Sequence, residues 1–387
     1  MFLSSCSVKY LSRYIFWNYS GVNDYKKFTS REILNDSIHY SFRKDTGRKS
    51  QVSDIFRSVG YRYKNRQLKC SLDELLSTTG TSAFIIIKSD TVLFEKYYNK
   101  TFRESINTSF SMAKSFTSAL IGIAIDEGHI KSVNDYVVNY ITELKGKISD
   151  TLSIKDLLGM SSGIKYNPAY YLWADEPKSY YYPDLKGLVL QKAKQEYEPD
   201  RYFKYVNYNT ILLGIILERT TKTSPWKYLQ DKVWKPVEME YSASWSVDSR
   251  KNNFAKMESG INARSIDYAK FGRLFLQKGY WNGKPVISES WIIESTSPPN
   301  LNENPYYYIS KNFNPYALFF KDRQLYYKYG WWGLEHEDGH YDYMAIGIYG
   351  QFIYVCPQKQ IIIVRNGKKW GKIDWWPHLF KEISEKL

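Results

Sequence analysis

The sequence predicts an α/β (α+β) fold: an antiparallel sheet built from both chain ends and flanked by helices, with a mainly helical subdomain inserted and an N-terminal extension in front. Three observations predict it. A β-branched and aromatic hairpin lies early, at 83–98. Helical signals dominate from 130 to 250. Strand-like runs return only from 341 onward, before a last helix closes the chain.

In chain order, residues 1–78 read as an extension, rich in Tyr, Lys and Ser and weakly periodic, with short helices expected at Asp54–Val59 and Ser71–Ser77. The main domain spans 79–387, with 79–110 and 255–387 as its sheet-containing part and 111–254 as its helical part. The hairpin turns at Ser89-Asp90. A helix follows at 112–127, with Leu120, Ile123 and Ala124 at helical spacing and Gly128 as its stop. Ser153–Met160, Leu185–Gln195, Thr210–Thr220 and Pro225–Trp234 are the inserted helices. Ile266–Lys278 is another, followed by an Asn282-Gly283 turn. Tyr341–Ile348, Gln351–Val355 and Gln360–Arg365 read as strands, and Trp376–Glu385 as the closing helix. There is no internal repeat.

Composition narrows the function classes. The 387 residues are 43% hydrophobic and 24% charged, enough to form a core and too apolar for disorder throughout. No apolar run approaches the ~18 residues of a spanning helix. Cys6, Cys70 and Cys356 are too scattered for a disulfide framework or a C-x₂-C zinc site. The net charge is +14, and residues 1–78 hold fourteen Lys/Arg against seven Asp/Glu. Such a balance can attract anions, but no zinc finger, helix-turn-helix or RNA-recognition signature is present, so no nucleic-acid partner is expected. The 36 tyrosines suit an aromatic-lined cleft. Leu3-Ser4-Ser5-Cys6 reads as a lipobox, yet only Met1 and Phe2 precede it, where a signal needs a basic start and about 7–15 apolar residues. With a start codon further upstream, a lipid on Cys6 would attach the N-terminus peripherally to a membrane on the envelope or secreted side, where a basic arm suits anionic head groups. A chain complete as it stands reads as cytoplasmic.

Three catalytic patterns compete. His336-Glu337-Asp338-Gly339-His340 matches H-E-x-x-H, which binds zinc only where a helix brings both imidazoles to one face. Here Asp338-Gly339 signals a hairpin turn and strand-like residues follow, so no metal is expected. Gly159-Met160-Ser161-Ser162-Gly163 matches G-x-S-x-G, but a helical pattern precedes it where the nucleophile elbow needs a strand. It reads as a helix C-terminal turn. S-x-x-K occurs at Ser41/Lys44, Ser111/Lys114, Ser162/Lys165 and Ser224/Lys227. Only Ser111/Lys114 opens a strong apolar helix after a hairpin. Positions i and i+3 share a helix face. An ammonium there favours the alkoxide, and a neutral amine could take the proton. Further on, Tyr205-Val206-Asn207 stands just before a helix. A tyrosine has a pKa near ~10, and beside a lysine it can fall far enough to act as a base.

Taken together, these ordered motifs resemble the serine β-lactamase-related hydrolases, a family that includes class C β-lactamases, penicillin-recognising DD-peptidases, esterases of β-lactamase fold and 6-aminohexanoate-dimer hydrolase. The resemblance covers 80–385 and rests on Ser109–Ser115, Leu157–Gly163, Glu198–Gly214, Asp267–Leu274, Gly347–Gln351 and Val355–Pro357. It implies the β-lactamase/transpeptidase-like fold. It also implies Ser111 as nucleophile, Lys114 as the S-x-x-K lysine, Tyr205 as the tyrosine base and Asn207 as a substrate contact. The late strand reads Gly347-Ile348-Tyr349-Gly350 where the family usually carries Lys-Thr-Gly or His-x-Gly. Gly-Ile is similar to the 6-aminohexanoate-dimer hydrolase branch and implies an oxyanion hole from the N–H groups of Ser111 and Ile348, with Gly347 beside the substrate. Because the missing lysine normally pairs with a β-lactam or peptidoglycan carboxylate, an ester, amide or peptide-like small molecule without that carboxylate is expected ahead of a β-lactam or cell-wall-related substrate, which the resemblance also allows. The tyrosine-rich loop Tyr166–Tyr182 could line the acyl pocket, with Tyr170 as a contact. No metal or cofactor is implied. A non-hydrolysing penicillin-binding or sensor-like relative is the alternative.

Overall fold

Strands from the two chain ends meet in one sheet, and the N-terminal segment is sewn onto the result. The computed structural model describes residues 5–45, 56–299 and 325–387. Leu3, Ser4 and Asp54, named above, lie outside the described residues. The N-terminal segment contributes α1 (Ser5–Trp17), β1 (Ser30–Ile33), β2 (Arg43–Lys44), β3 (Val59–Tyr63), β4 (Arg66–Cys70) and α2 (Leu72–Thr78). The helix expected at Ser71–Ser77 is α2, whose N-cap Ser71 Oγ accepts from the Glu74 N–H at 3.2 Å. The one expected at Asp54–Val59 does not form over its described part: 56–58 are turn and bend, and Val59 opens β3.

The early hairpin is β5 (Thr81–Lys88) and β6 (Thr91–Tyr97), followed by β7 (Asn107–Thr108) and α3 (Ala113–Asp126). The helical part follows: α4 (Val137–Tyr140), α5 (Ile154–Leu158), α6 (Asp175–Tyr181), α7 (Leu185–Lys192), α8 (Asn207–Thr221) and α9 (Pro225–Leu229). Next come β8 (Ala243–Ser246), β9 (Ile261–Ala263), α10 (Ser265–Leu276), the short pair β10 (Tyr280–Trp281) and β11 (Lys284–Pro285), and α11 (Glu289–Thr296). The chain ends with β12 (Leu325–Lys328), β13 (Trp331–Glu335), β14 (Tyr341–Gly347), β15 (Gln351–Cys356), β16 (Ile361–Gly367) and α12 (Trp376–Lys386).

The main sheet has the order β12-β13-β14-β15-β16-β5-β6-β2. All its pairs are antiparallel except β2 against β6. Strands β12 and β13 went unforeseen in the sequence. Successive side chains alternate across the sheet. Ile85 and Ile87 of β5, with Ile362 and Val364 of β16, enter the larger core under α3 and α10. Phe84, Ile86, Ile361 and Ile363 enter the other, under α2 and α12. Both faces are covered, which is why these strands read as unbroken apolar runs. A smaller sheet, β1-β8-β9-β7, ties the N-terminal segment to the body.

Two helices differ from expectation in ways that matter. Ala113 to Ala124 of α3 are buried all round, not along one stripe. Two of its hydroxyls are satisfied by carbonyls from other elements: Ser115 donates to Gly330 O at 2.7 Å and Thr117 to Met257 O at 3.1 Å, while the buried Ser118 Oγ has no partner among the described residues. Helix α8 begins at Asn207, earlier than the Thr210 expected, and is buried through Leu217. Among the described residues no helix is long and apolar enough to cross a membrane.

Candidate active site

Ser111 sits in a single 3₁₀ turn, Phe110–Met112, leading into α3. The turn is pinned from behind. The buried Ser109 donates its N–H to Ile261 O of β9 at 2.7 Å, and its hydroxyl accepts from the Ile261 N–H at 3.2 Å. Phe110 holds φ at 45°, a left-handed conformation costly for a bulky side chain. Its ring is buried, stacked on Tyr180 at 6.5 Å and edge-on to Tyr349 at 5.3 Å. Packing on two sides thus holds the strained residue that aims Ser111.

One turn along, Lys114 Nζ donates to Ser111 Oγ at 3.2 Å and to the Glu258 main-chain carbonyl at 3.1 Å. Its ammonium also lies 4.8 Å from the centroid of the Tyr205 ring. The Tyr205 phenol hydrogen-bonds Ser111. The structure therefore brings Ser111, Lys114 and Tyr205 together from α3 and from the residues just before α8. Burial lowers Lys114 to about 8, against the opposing charges of Glu258 and Glu176. Tyr205 moves the other way. Burial raises it above its ordinary value, and the hydrogen bond from Ser111 only partly offsets this. The expectation that a neighbouring lysine would depress Tyr205 is not met: the cation faces the ring, and desolvation, with the charges of Glu176 and Glu258, raises the phenol.

The remaining expected site residues divide. Ile348, just past the end of β14, lines the same cavity as Ser111. Gly347 does not line it; the residue is buried at the end of β14, where a Cβ would stand 2.3 Å from Ser109 O. Bare backbone is what lets β14 press against the turn carrying Ser111. Asn207 lines the cavity, but its amide nitrogen is engaged by Glu176 Oε1 at 3.1 Å, the Tyr166 hydroxyl at 3.2 Å and Ser179 Oγ at 3.2 Å. Its Oδ1 is buried with no partner among the described residues. Tyr170 lines the cavity with a largely exposed ring. Cys6 is half-buried in α1.

The cavity measures about 570 Å³, within the range of small-molecule sites. The tyrosine-rich loop Tyr166–Tyr182 lines it as expected, through Tyr166, Tyr170, Tyr180 and Tyr181 among others, but sequence reasoning singled out none of four features of the wall. Glu176 is held by Tyr166, whose hydroxyl donates to Oε2 at 2.6 Å, and burial raises its carboxyl. Glu258 is buried; its Oε1 accepts from Lys256 at 3.2 Å and Ser259 at 2.7 Å, while Oε2 has no partner among the described residues. Tyr180 packs behind Phe110. Tyr14, Asn18, Tyr19 and Ser20 arrive from the N-terminal segment. The one usable signal was Lys256 and Glu258, the only two charges in the stretch from Phe254 to Ala263.

The decoy patterns take the geometry their neighbours impose. His336 and His340 flank a hairpin turn between β13 and β14, closed by the His336 N–H to His340 O bond at 2.7 Å. His336 Nε2 pairs with Asp342 Oδ2 at 2.8 Å. No group of three or more metal-ligating side chains occurs among the described residues. Ser161 follows the C-terminus of α5, whose capping residue is Gly159, and Ser162 is buried, donating to Asn209 Oδ1 at 2.8 Å.

An antiparallel sheet built from both chain ends, with a Ser-x-x-Lys turn entering a buried helix beneath it, is the β-lactamase/transpeptidase-like fold. Residues 73–373 match the model of the Beta-lactamase family, and the chain belongs to that family. It is similar to the 6-aminohexanoate-dimer hydrolase of Paenarthrobacter ureafaciens, at 26% identity over 321 residues, covering 79% of this chain and 75% of that protein. A solved structure from Bacillus anthracis, provisionally named as a 6-aminohexanoate-dimer hydrolase, superposes with a TM-score of 0.77 at 20% identity, covering 96% of this chain and 92% of that one. A class C beta-lactamase variant superposes with a TM-score of 0.62 at 14% identity, covering 89% of this chain and 100% of that one.

Proposed function

We propose that this chain is a serine hydrolase that cleaves an ester or amide through an acyl-enzyme on Ser111. The observation that carries the reading is the approach of Lys114 Nζ to 3.2 Å of Ser111 Oγ while the Tyr205 phenol bonds the same hydroxyl. Lys114, brought down to about 8, has an appreciable neutral fraction near neutral pH and takes the Ser111 proton. Tyr205, kept in its phenol form by burial, passes a proton to the leaving group rather than starting the reaction as phenolate. The Ser111 oxygen attacks the carbonyl carbon, and the N–H groups of Ser111 and Ile348 receive the oxyanion. The leaving group departs protonated, and water cleaves the ester left on Ser111 by the reverse proton path.

The wall supports a substrate lacking a carboxylate beside the scissile bond. Glu176 and Glu258 both act on Lys114 electrostatically and both border the cavity. A carboxylate of the β-lactam kind would meet like charge there, with no Lys-Thr-Gly lysine to offset it. A linear amide such as an aminohexanoate dimer belongs in the first substrate panel.

The test is intact-mass analysis after a fluorophosphonate probe, with EDTA present, on wild type and Ser111→Ala, followed by an ester and amide panel. One adduct on wild type, absent from the variant, with turnover of a panel member, is expected. Labelling without turnover would favour a non-hydrolysing relative, and no labelling at all would overturn the reading.

A further inference from the structure

The catalytic motifs do not supply the whole cavity wall. Tyr14, Asn18, Tyr19 and Ser20 border the same space as Ser111, although they come from the start of the chain. This segment is fastened to both sides of the cavity. On the tyrosine-rich side, Arg13 donates to Tyr181 O at 2.9 Å, Tyr14 OH to Tyr170 O at 3.2 Å, and Tyr181 OH to Asn18 O at 2.7 Å. On the other, the Tyr349 hydroxyl donates to Ser20 O. Tyr349 follows Ile348, and its ring packs on Phe110 next to Ser111. The end of α1 and the residues after it thus span from the tyrosine-rich loop to the β14–β15 turn. A substrate extending away from Ser111 along this wall meets the rings of Tyr14 and Tyr19.

Resting on the hydrolase reading above, we propose that Tyr14, Asn18, Tyr19 and Ser20 form the substrate-length-selecting wall of this enzyme, with the Tyr14 and Tyr19 rings holding the remote, apolar end of an extended acyl chain. Tyr14 is suited to the inner position: it is half-buried, and its ring stands edge-on to Tyr181 at 6.4 Å. Tyr19 is 72% exposed and forms the rim. Each methylene buried against such rings strengthens binding roughly fourfold. Contacts remote from the scissile bond register first in KM.

The experiment compares p-nitrophenyl acetate with p-nitrophenyl octanoate on wild type, Ser111→Ala, Tyr14→Ala, Tyr19→Ala and Phe16→Ala. Phe16 is on the same helix but 81% exposed and outside the cavity lining, so it controls for damage to α1. In wild type, kcat/KM should rise from acetate to octanoate. The octanoate-to-acetate ratio should fall about tenfold in Tyr14→Ala and less in Tyr19→Ala, carried by KM, while Phe16→Ala keeps the wild-type ratio. A ratio unchanged in both tyrosine variants, equal loss on both esters through kcat, or the same fall in Phe16→Ala would overturn the wall proposal and leave the hydrolase reading standing. Failure of wild type to turn over either ester in a Ser111-dependent way would overturn both.

Discussion

Lys114 hydrogen-bonds the main-chain carbonyl of Glu258, not its carboxylate, which accepts instead from Lys256 and Ser259. The cation at the heart of the site is therefore influenced by a carboxylate without being neutralised by one. Burial then prevails and brings Lys114 to about 8.

The pH dependence follows from this. In the mechanism we propose the neutral amine is the base, so kcat/KM should climb as pH rises through about 8 and level off above it. Lys114→Arg cannot lose its proton in any accessible range and should cost roughly 10²–10⁴-fold in turnover. A pH–rate profile that stays flat through this range would speak against Lys114 as the base.

Glu258→Gln tests the electrostatics. The carboxylate holds Lys114 up, so its removal should move the rising limb of the profile toward acid. Lys256, whose buried ammonium pairs with the same carboxylate, loses its partner too and pushes in the same direction. A shift toward alkali in the kcat/KM profile would contradict this account.

Gly347→Ala probes the contact between β14 and the Ser111 turn. The added Cβ would stand 2.3 Å from Ser109 O, so backbone must give, and Ile348 moves relative to Ser111. Displacement on the order of 1 Å can cost about 10²-fold in rate. The expected result is a fall in kcat of that size, with circular dichroism and the melting transition showing the fold retained.

Gly122→Ala addresses the core. In an exposed helix this change would stabilise. Here the Cβ would lie 2.4 Å from the Trp291 ring, which packs directly on the α3 backbone. Overpacking should win, at roughly 1–3 kcal/mol, and a denaturant midpoint measures it.

His340→Ala should leave hydrolysis unchanged, as should EDTA. The imidazole is exposed on the hairpin and, among the described residues, pairs only with Asp338, at 3.2 Å. A loss of activity on chelation would revive the zinc reading.

Local pattern carried much of the fold into the sequence. The β5–β6 hairpin, β14, β15, β16 and the closing helix were legible because β-branched runs and turn residues act over a few positions. The Ser111/Lys114 pair was legible because i and i+3 meet on any helix. Strands β12 and β13 were missed because Leu325–Glu335 is short and aromatic, with no alternation to mark it. Helix α1 was missed because its buried face, Tyr10 and Arg13, is polar-tipped and makes sense only against the tyrosine-rich loop. Glu176 had no sequence partner to announce it, and Glu258 had only the nearby Lys256.

The sequence by itself marked out the Ser111/Lys114 pair and many of the segments that form strand or helix, since those depend on side-chain chemistry and on periodicities of a few residues. Tertiary structure decided how the groups behave. It set Tyr205 upward and Lys114 downward, because desolvation depends on everything packed around a charge. It turned Asn207 toward Glu176 and fitted Gly347 against Ser109. It also laid the start of the chain across the cavity wall, a contact that no local pattern encodes because its two sides lie far apart in sequence.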